Sequence, residues 1–131
     1  MLLDIQNIFS DSQEITSPEV ISTNTVRFGK GDVSYVPIII QIVENFNNLT
    51  ALEAKIQTSE TEDFSTPIDL TTSSLKLENL KAGEKFPMSY LPKGNLGYMR
   101  IAYTTTGTSA TTGKITAGVV CTDGLTYQDL D

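Results

Sequence analysis

Histidine and tryptophan are absent from the 131 residues, cysteine occurs once, and Lys plus Arg number only 9. Each shortage removes a class of function. Without histidine there is no His-based catalytic triad, no His-ligated zinc or iron, and none of the metal clusters of cupin enzymes. Without tryptophan a sugar-cleaving cleft lacks its best stacking side chain. The lone Cys121 cannot form an intrachain disulfide or a multi-cysteine metal site, and it continues the apolar alternation Ile115, Ala117, Val119, so it reads as a buried strand residue. The 9 basic residues face 16 acidic ones for a net charge of −7, which opposes general phosphate binding and makes nucleic acid an unexpected direct partner. No stretch approaches the ~20 apolar residues of a membrane span. The opening Met1-Leu2-Leu3-Asp4 lacks the basic start and long apolar run of a signal peptide, so synthesis in the cytoplasm is expected. What remains is ordinary for a globule, with 39% hydrophobic and 19% charged residues.

The periodicity that is present has a repeat of two, the spacing at which one face of a strand turns inward. Met99, Ile101 and Tyr103 alternate with Tyr98, Arg100 and Ala102. Ile115, Ala117, Val119 and Cys121 alternate with Thr116, Gly118 and Val120. The Thr/Gly/Ser-rich stretch from Gly107 to Gly113 between them predicts a hairpin loop. Val33 to Val43 is too continuously apolar for a strand with one wet face, which predicts burial on both sides for part of its length, with Pro37 at an edge or bulge. Ile68 to Leu70, Ser74 to Leu77 and Phe86 to Leu91 are further short strands. Leu49 to Ile56 has helical spacing as well as alternation; the strand reading places Leu52, Ala54 and Ile56 inward and Glu53, Lys55 and Gln57 in water. Ser17-Pro18-Glu19 has the chemistry of a single helical turn. Seven to eight strands and no long helix predict an all-β fold, a jelly-roll-like β-sandwich over residues 17–131, preceded by an N-terminal arm over residues 1–16.

Carboxylates are the remaining catalytic resource. Glu60, Glu62 and Asp63, followed by Asp69, lie in a Thr/Ser-rich setting that reads as a solvated loop, and neither they nor Asp123, Asp129 and Asp131 have the spacing of a calcium loop. Gly29-Lys30-Gly31 lacks the further glycine and helix of a phosphate cradle and reads as a tight turn. No enzymatic activity, cofactor or metal is expected.

The arm holds five large apolar side chains, Leu2, Leu3, Ile5, Ile8 and Phe9, ahead of the turn-forming Ser10-Asp11-Ser12. Such a segment must pack on its own domain or on a partner, and these five residues are the candidate partner interface. The pattern Leu3-Asp4, Phe9-Ser10-Asp11 and Gln13 resembles the opening of capsid cement (decoration) proteins from short-tailed bacteriophages of the Bordetella-phage type. Leu91-Pro92-Lys93-Gly94, Gly97-Tyr98-Met99-Arg100-Ile101-Ala102-Tyr103, Gly107-Thr108 and Gly113 to Val120 resemble that family's closing segments, and Phe46 and Gln57-Thr58-Ser59 extend a looser similarity over most of the chain. Thr25 to Tyr35 departs from the family's Gly-rich turn. The resemblance implies a jelly roll without enzymatic activity, present as homodimers on the capsid exterior of the virion, between neighbouring copies of the major capsid protein. Two other functions stand as rivals, the second of which needs a cleft that the sequence does not show. One is a carbohydrate- or receptor-binding module stacking sugars on Tyr90, Tyr98 and Tyr103; the other is a small hydrolase built on the acidic cluster.

Overall fold

A computed structural model describes residues 3–27, 37–87 and 96–120, with side chains from Ile8 onward. Its strands are β1 (Leu3–Glu14), β2 (Glu19–Ile21), β3 (Val26–Arg27), β4 (Ile38–Glu44), β5 (Leu49–Ser59), β6 (Ile68–Lys76), β7 (Tyr98–Gly107) and β8 (Lys114–Val120), with a 3-10 turn at Leu77–Asn79. The chain is an all-β sandwich of two antiparallel sheets. One has the order β1-β8-β4; the other has the order β2-β7-β5-β6, with β3 also on β7. Residues 83–86 lie along the free side of β4, through Gly83 N–H to Ile42 O, Ile42 N–H to Glu84 O and Phe86 N–H to Ile40 O. With that segment in place, the two layers interleave chain positions as a jelly roll does.

Alternation explains the layers. Ile38, Ile40 and Ile42 of β4, Leu52, Ala54 and Ile56 of β5, Met99, Ile101 and Tyr103 of β7, and Ile115, Ala117 and Val119 of β8 form one buried cluster between the sheets. Leu49–Ser59 is a strand, with Glu53, Lys55 and Gln57 half-buried on the outer side. Burying one such side chain contributes roughly 1.5–3 kcal/mol before ordering costs.

The sheets are also pinned by a polar chain. The Tyr103 hydroxyl shares a 2.9 Å hydrogen bond with Ser10 Oγ, which donates to Gln13 Oε1 at 2.7 Å. Gln13 Oε1 also accepts from the Thr23 N–H, and its Nε2 donates to Ile21 O at 2.8 Å. Strand β7 of one sheet is thereby tied to β1 of the other and to the chain leaving β2. Full burial of Tyr103 is tolerated because its one polar atom has this partner.

Several local expectations differ from the structure. Gly107 to Gly113 does not close a hairpin, because β7 and β8 lie in different sheets. The connection crosses the open end of the sandwich and is held there by Asn47, whose Oδ1 accepts from the Thr111 and Thr112 N–H groups, and by Glu44 Oε1, which accepts from Gly113 N–H. Gly113, at φ 139°, also lies under the Phe46 ring, where an added Cβ would fall 2.4 Å from it. Ser17-Pro18 forms a bend and not a helical turn: Pro18 O accepts from Thr105 N–H, and the chain enters β2 at Glu19. The two expected strands at Ile68 and Ser74 are one strand, β6, in which Leu70 is an extra residue between the pairs Ile56–Thr71 and Gln57–Asp69. Pro37 does sit at the mouth of β4, where its carbonyl accepts from Val120 N–H. Val33 to Val36, the turn expected at residues 29–31 and Cys121 lie outside the described residues.

Candidate interaction surfaces

The two outer faces of the sandwich have different chemistry. On the five-stranded sheet, cross-strand register places Arg100 beside Gln57 and Gln57 beside Asp69. Arg100 Nε donates to Gln57 Oε1 at 2.9 Å, and Gln57 Nε2 donates to Asp69 Oδ1 at 2.8 Å. Lys55 Nζ lies 3.8 Å from carboxylate oxygens of both Asp69 and Glu53. The Arg100 guanidinium also stands 4.3 Å from the centre of the Phe64 ring, which fastens the turn after β5 onto the sheet. In that turn Asp63 accepts from the Thr61 hydroxyl and the Ser65 N–H. These two bonds, the Thr61 one foremost, hold its carboxyl below the usual range. The acidic cluster is thus at least partly turn chemistry: Asp63 closes the loop and Asp69 belongs to the sheet's polar ladder. A shallow groove of about 390 Å³ crosses this face beside β2, with small Ala102 among Glu19, Ile21, Lys55, Arg100 and Thr104. Its lining carries both signs of charge.

The outer face of the three-stranded sheet is apolar along one row. Gly118 lies between the core residues Ala117 and Val119 in sequence, so its position faces outward. Opposite it stand Ile8 on β1 and Ile39 on β4. Ile39 lies between Ile38 and Ile40, which belong to the inner cluster, yet it is only 7% exposed. That accords with the two-sided burial expected for this strand. Leu3 is in register with Val120 at the next outward position of β8, and Val43 adds an exposed apolar side chain at the far end of β4.

The expected interface residues separate along this geometry. Leu2 lies outside the described residues; Leu3 and Ile5 fall within β1; Ile8 is half-buried in the outward row; Phe9 is fully buried in the core. Residues 3–14 of the segment set apart as an arm pair with β8 as an edge strand, and Ile15 beyond them is also fully buried in the core. Burial of Phe9 and Ser10 is legible only in three dimensions, because the register of β1 slips at several points and breaks strict alternation.

The tyrosines named for sugar stacking are not gathered on one face. Tyr103 points into the core and Tyr98 outward, with Arg27 5.9 Å from its ring centre; Tyr90 lies outside the described residues. Burial holds the Tyr103 phenol well above its ordinary ionisation range, and the Ser10 hydrogen bond only partly offsets this.

A comparison with curated proteins gives no match. A family model described as Bbp16 matches residues 9–119, from Phe9 within β1 almost to the end of β8 and well over half of the chain. The sandwich and the match coincide in extent, and the chain belongs to the Bbp16 family, a family of Bordetella-phage proteins.

Proposed function

We propose that this phage structural protein is a non-enzymatic capsid cement, which attaches to the exterior of the phage head and clamps neighbouring copies of the major capsid protein as a homodimer. The observation that carries the reading is the apolar row Ile8–Gly118–Ile39 on the outer face of the three-stranded sheet, whose partly exposed member, Ile8, lies on edge strand β1, which runs out towards the apolar start of the chain. A sheet face meant only for water is usually polar on its outer side, as the five-stranded sheet is here apart from Ile21. Side chains of this kind docked on a partner contribute to affinity through area removed from water. With a net charge of −7 and no basic run, attachment rests on apolar contact and hydrogen bonds, so it persists at roughly 0.3 M salt, where surface ion pairs are largely screened.

The test is co-sedimentation with purified heads of the phage that encodes the protein. Stoichiometric, salt-resistant recovery with heads supports the reading. Recovery only in the supernatant, or complete release at moderate salt, contradicts it.

A further inference from the structure

The five-stranded sheet ends at β6, and among the described residues no strand pairs with β6 on the side away from β5. This edge differs from the free side of β4, which residues 83–86 line. Strand β6 is nine residues long, and Ile68, Asp69, Thr72, Ser74 and Lys76 along it are exposed. It carries one acid near its start and one base at its end, with Thr71-Thr72-Ser73-Ser74 between them. Long edges with so little charge are templates for a further strand.

We infer that the occupant of this edge is a second copy of the same strand, paired antiparallel about a two-fold axis through Ser73. The argument is register. Facing along β6 follows from its partners on β5: Thr71, Ser73 and Leu75 stand opposite the core residues Ile56, Ala54 and Leu52, whereas Asp69, Thr72 and Ser74 stand opposite the outward Gln57, Lys55 and Glu53. Lys76, next after inward Leu75, is outward too. A two-fold axis at Ser73 sets Thr72 against Ser74 of the other copy, both outward, and Thr71 against Leu75, both inward. The next step would join residues of opposite facing in a regular strand. Here Leu70 is the extra residue of the bulge, so the step passes over it and sets Asp69 against Lys76 of the other copy, both on the outer face.

The strand is therefore self-complementary in facing and in charge, and the symmetry forms the Asp69–Lys76 pair at both ends. Leu70 and Leu75, half-buried and packed against the core, lie beside the junction and gain cover from it. Because paired residues face the same way, the axis is perpendicular to the sheet. Both three-stranded sheets then lie on the same side of the joined sheet, which turns their two outer faces, each with its Ile8, to one surface. This deepens the homodimer in the proposed function, but it rests on strand register and stands or falls separately from capsid attachment.

Charge exchange across the edge tests it. Asp69→Lys and Lys76→Asp are made separately, and each, with the wild type, is examined by sedimentation velocity and by melting. In either variant alone, both ends of the pairing meet like charge, so the dimer dissociation constant should rise at least tenfold with the fold intact. Mixing the two variants restores opposite charges at both ends and should return a heterodimer of near wild-type affinity. That rescue cannot come from a folding defect. A wild-type protein that stays monomeric at the highest soluble concentration overturns the inference, as do variants that dimerise like wild type or a mixture that fails to associate. Capsid co-sedimentation of the same proteins is scored independently, so a dimer without capsid binding refutes the cement reading alone.

Discussion

The outer face of the five-stranded sheet and that of the three-stranded sheet are built on the same strand alternation, yet the first carries a polar ladder, with Ile21 exposed beside it, and the second does not. The first runs Arg100, Gln57, Asp69, Lys55 and Glu53 into a cross-strand ladder, whereas the second places Ile8 and Ile39 on either side of a glycine. Exposed ion pairs of the first kind contribute about 0–1 kcal/mol to stability, so the ladder is explained better by solubility and strand register than by energy. In the second, Ile39 is already covered within the subunit, so the apolar side chains left partly open include Ile8 and Val43. The proposed function places the partner on the thinner sheet.

The largest expected effect separates core from surface within β1. Removing residues 1–10 takes away Phe9 and the Ser10 partner of Tyr103, both fully buried. Losing a buried Phe side chain alone costs about 3–5 kcal/mol. Melting of this deletion should fall steeply, whereas removing residues 1–7 should leave the core cluster intact and weaken capsid attachment. Equal melting of the two deletions would mean that Phe9 does not hold the sandwich together. A comparable loss of about 2–5 kcal/mol is expected for Ile101→Ala, from the middle of the core, with chemical denaturation as the measurement.

High pH probes the pin between the sheets. The folded Tyr103 keeps its proton above the pH at which an unfolded tyrosine, near 10, loses it. In that window the unfolded chain binds fewer protons than the folded one, so stability is intact below about pH 10 and falls as pH rises towards the folded value. Tyr103→Phe should flatten this alkaline decline while lowering stability at neutral pH by about 1 kcal/mol for the lost hydrogen bond. Unfolding titrations from neutral to strongly alkaline pH check both signs.

A similarly small stability effect is expected on the polar face. Arg100→Ala removes the bond to Gln57 and the contact with the Phe64 ring, which together contribute about 1–2 kcal/mol, and it should leave capsid attachment unchanged. Loss of attachment in this variant would move the partner to the five-stranded sheet and undo the assignment of faces.

Much of this arrangement was readable along the chain because period-two alternation needs no knowledge of neighbours. The inward sets Leu52-Ala54-Ile56, Met99-Ile101-Tyr103 and Ile115-Ala117-Val119 follow directly from it. Reading failed where the period is interrupted or the destination of the chain is not local. The bulge at Leu70 makes one strand look like two, because Leu70 and Leu75 have opposite parity yet both pack towards the core. An odd spacing between apolar residues, bridged by Thr and Ser without Gly or Pro, is the signal that would have joined them. The Thr/Gly/Ser-rich stretch after β7 marks a connection but carries no information on which sheet receives it, so a crossover reads as a hairpin. The irregular pairing of β1 hides the same way: its apolar residues are conspicuous, but their division into inward Phe9 and outward Ile8 depends on β8, more than a hundred residues away.

The central claim is that the three-stranded sheet presents the face that meets the capsid, and one measurement addresses it most directly: quantitative co-sedimentation of wild type and Ile8→Asp with purified heads, alongside melting of each free protein. Ile8 contributes to the outward row with its side chain and to the fold with its carbonyl, which accepts from Asn24 Nδ2 and is untouched by the substitution. The account predicts saturable binding of wild type, at least a tenfold weaker association of Ile8→Asp, and melting temperatures of the two that agree within a few degrees. Wild-type levels of capsid binding by a folded Ile8→Asp would contradict it.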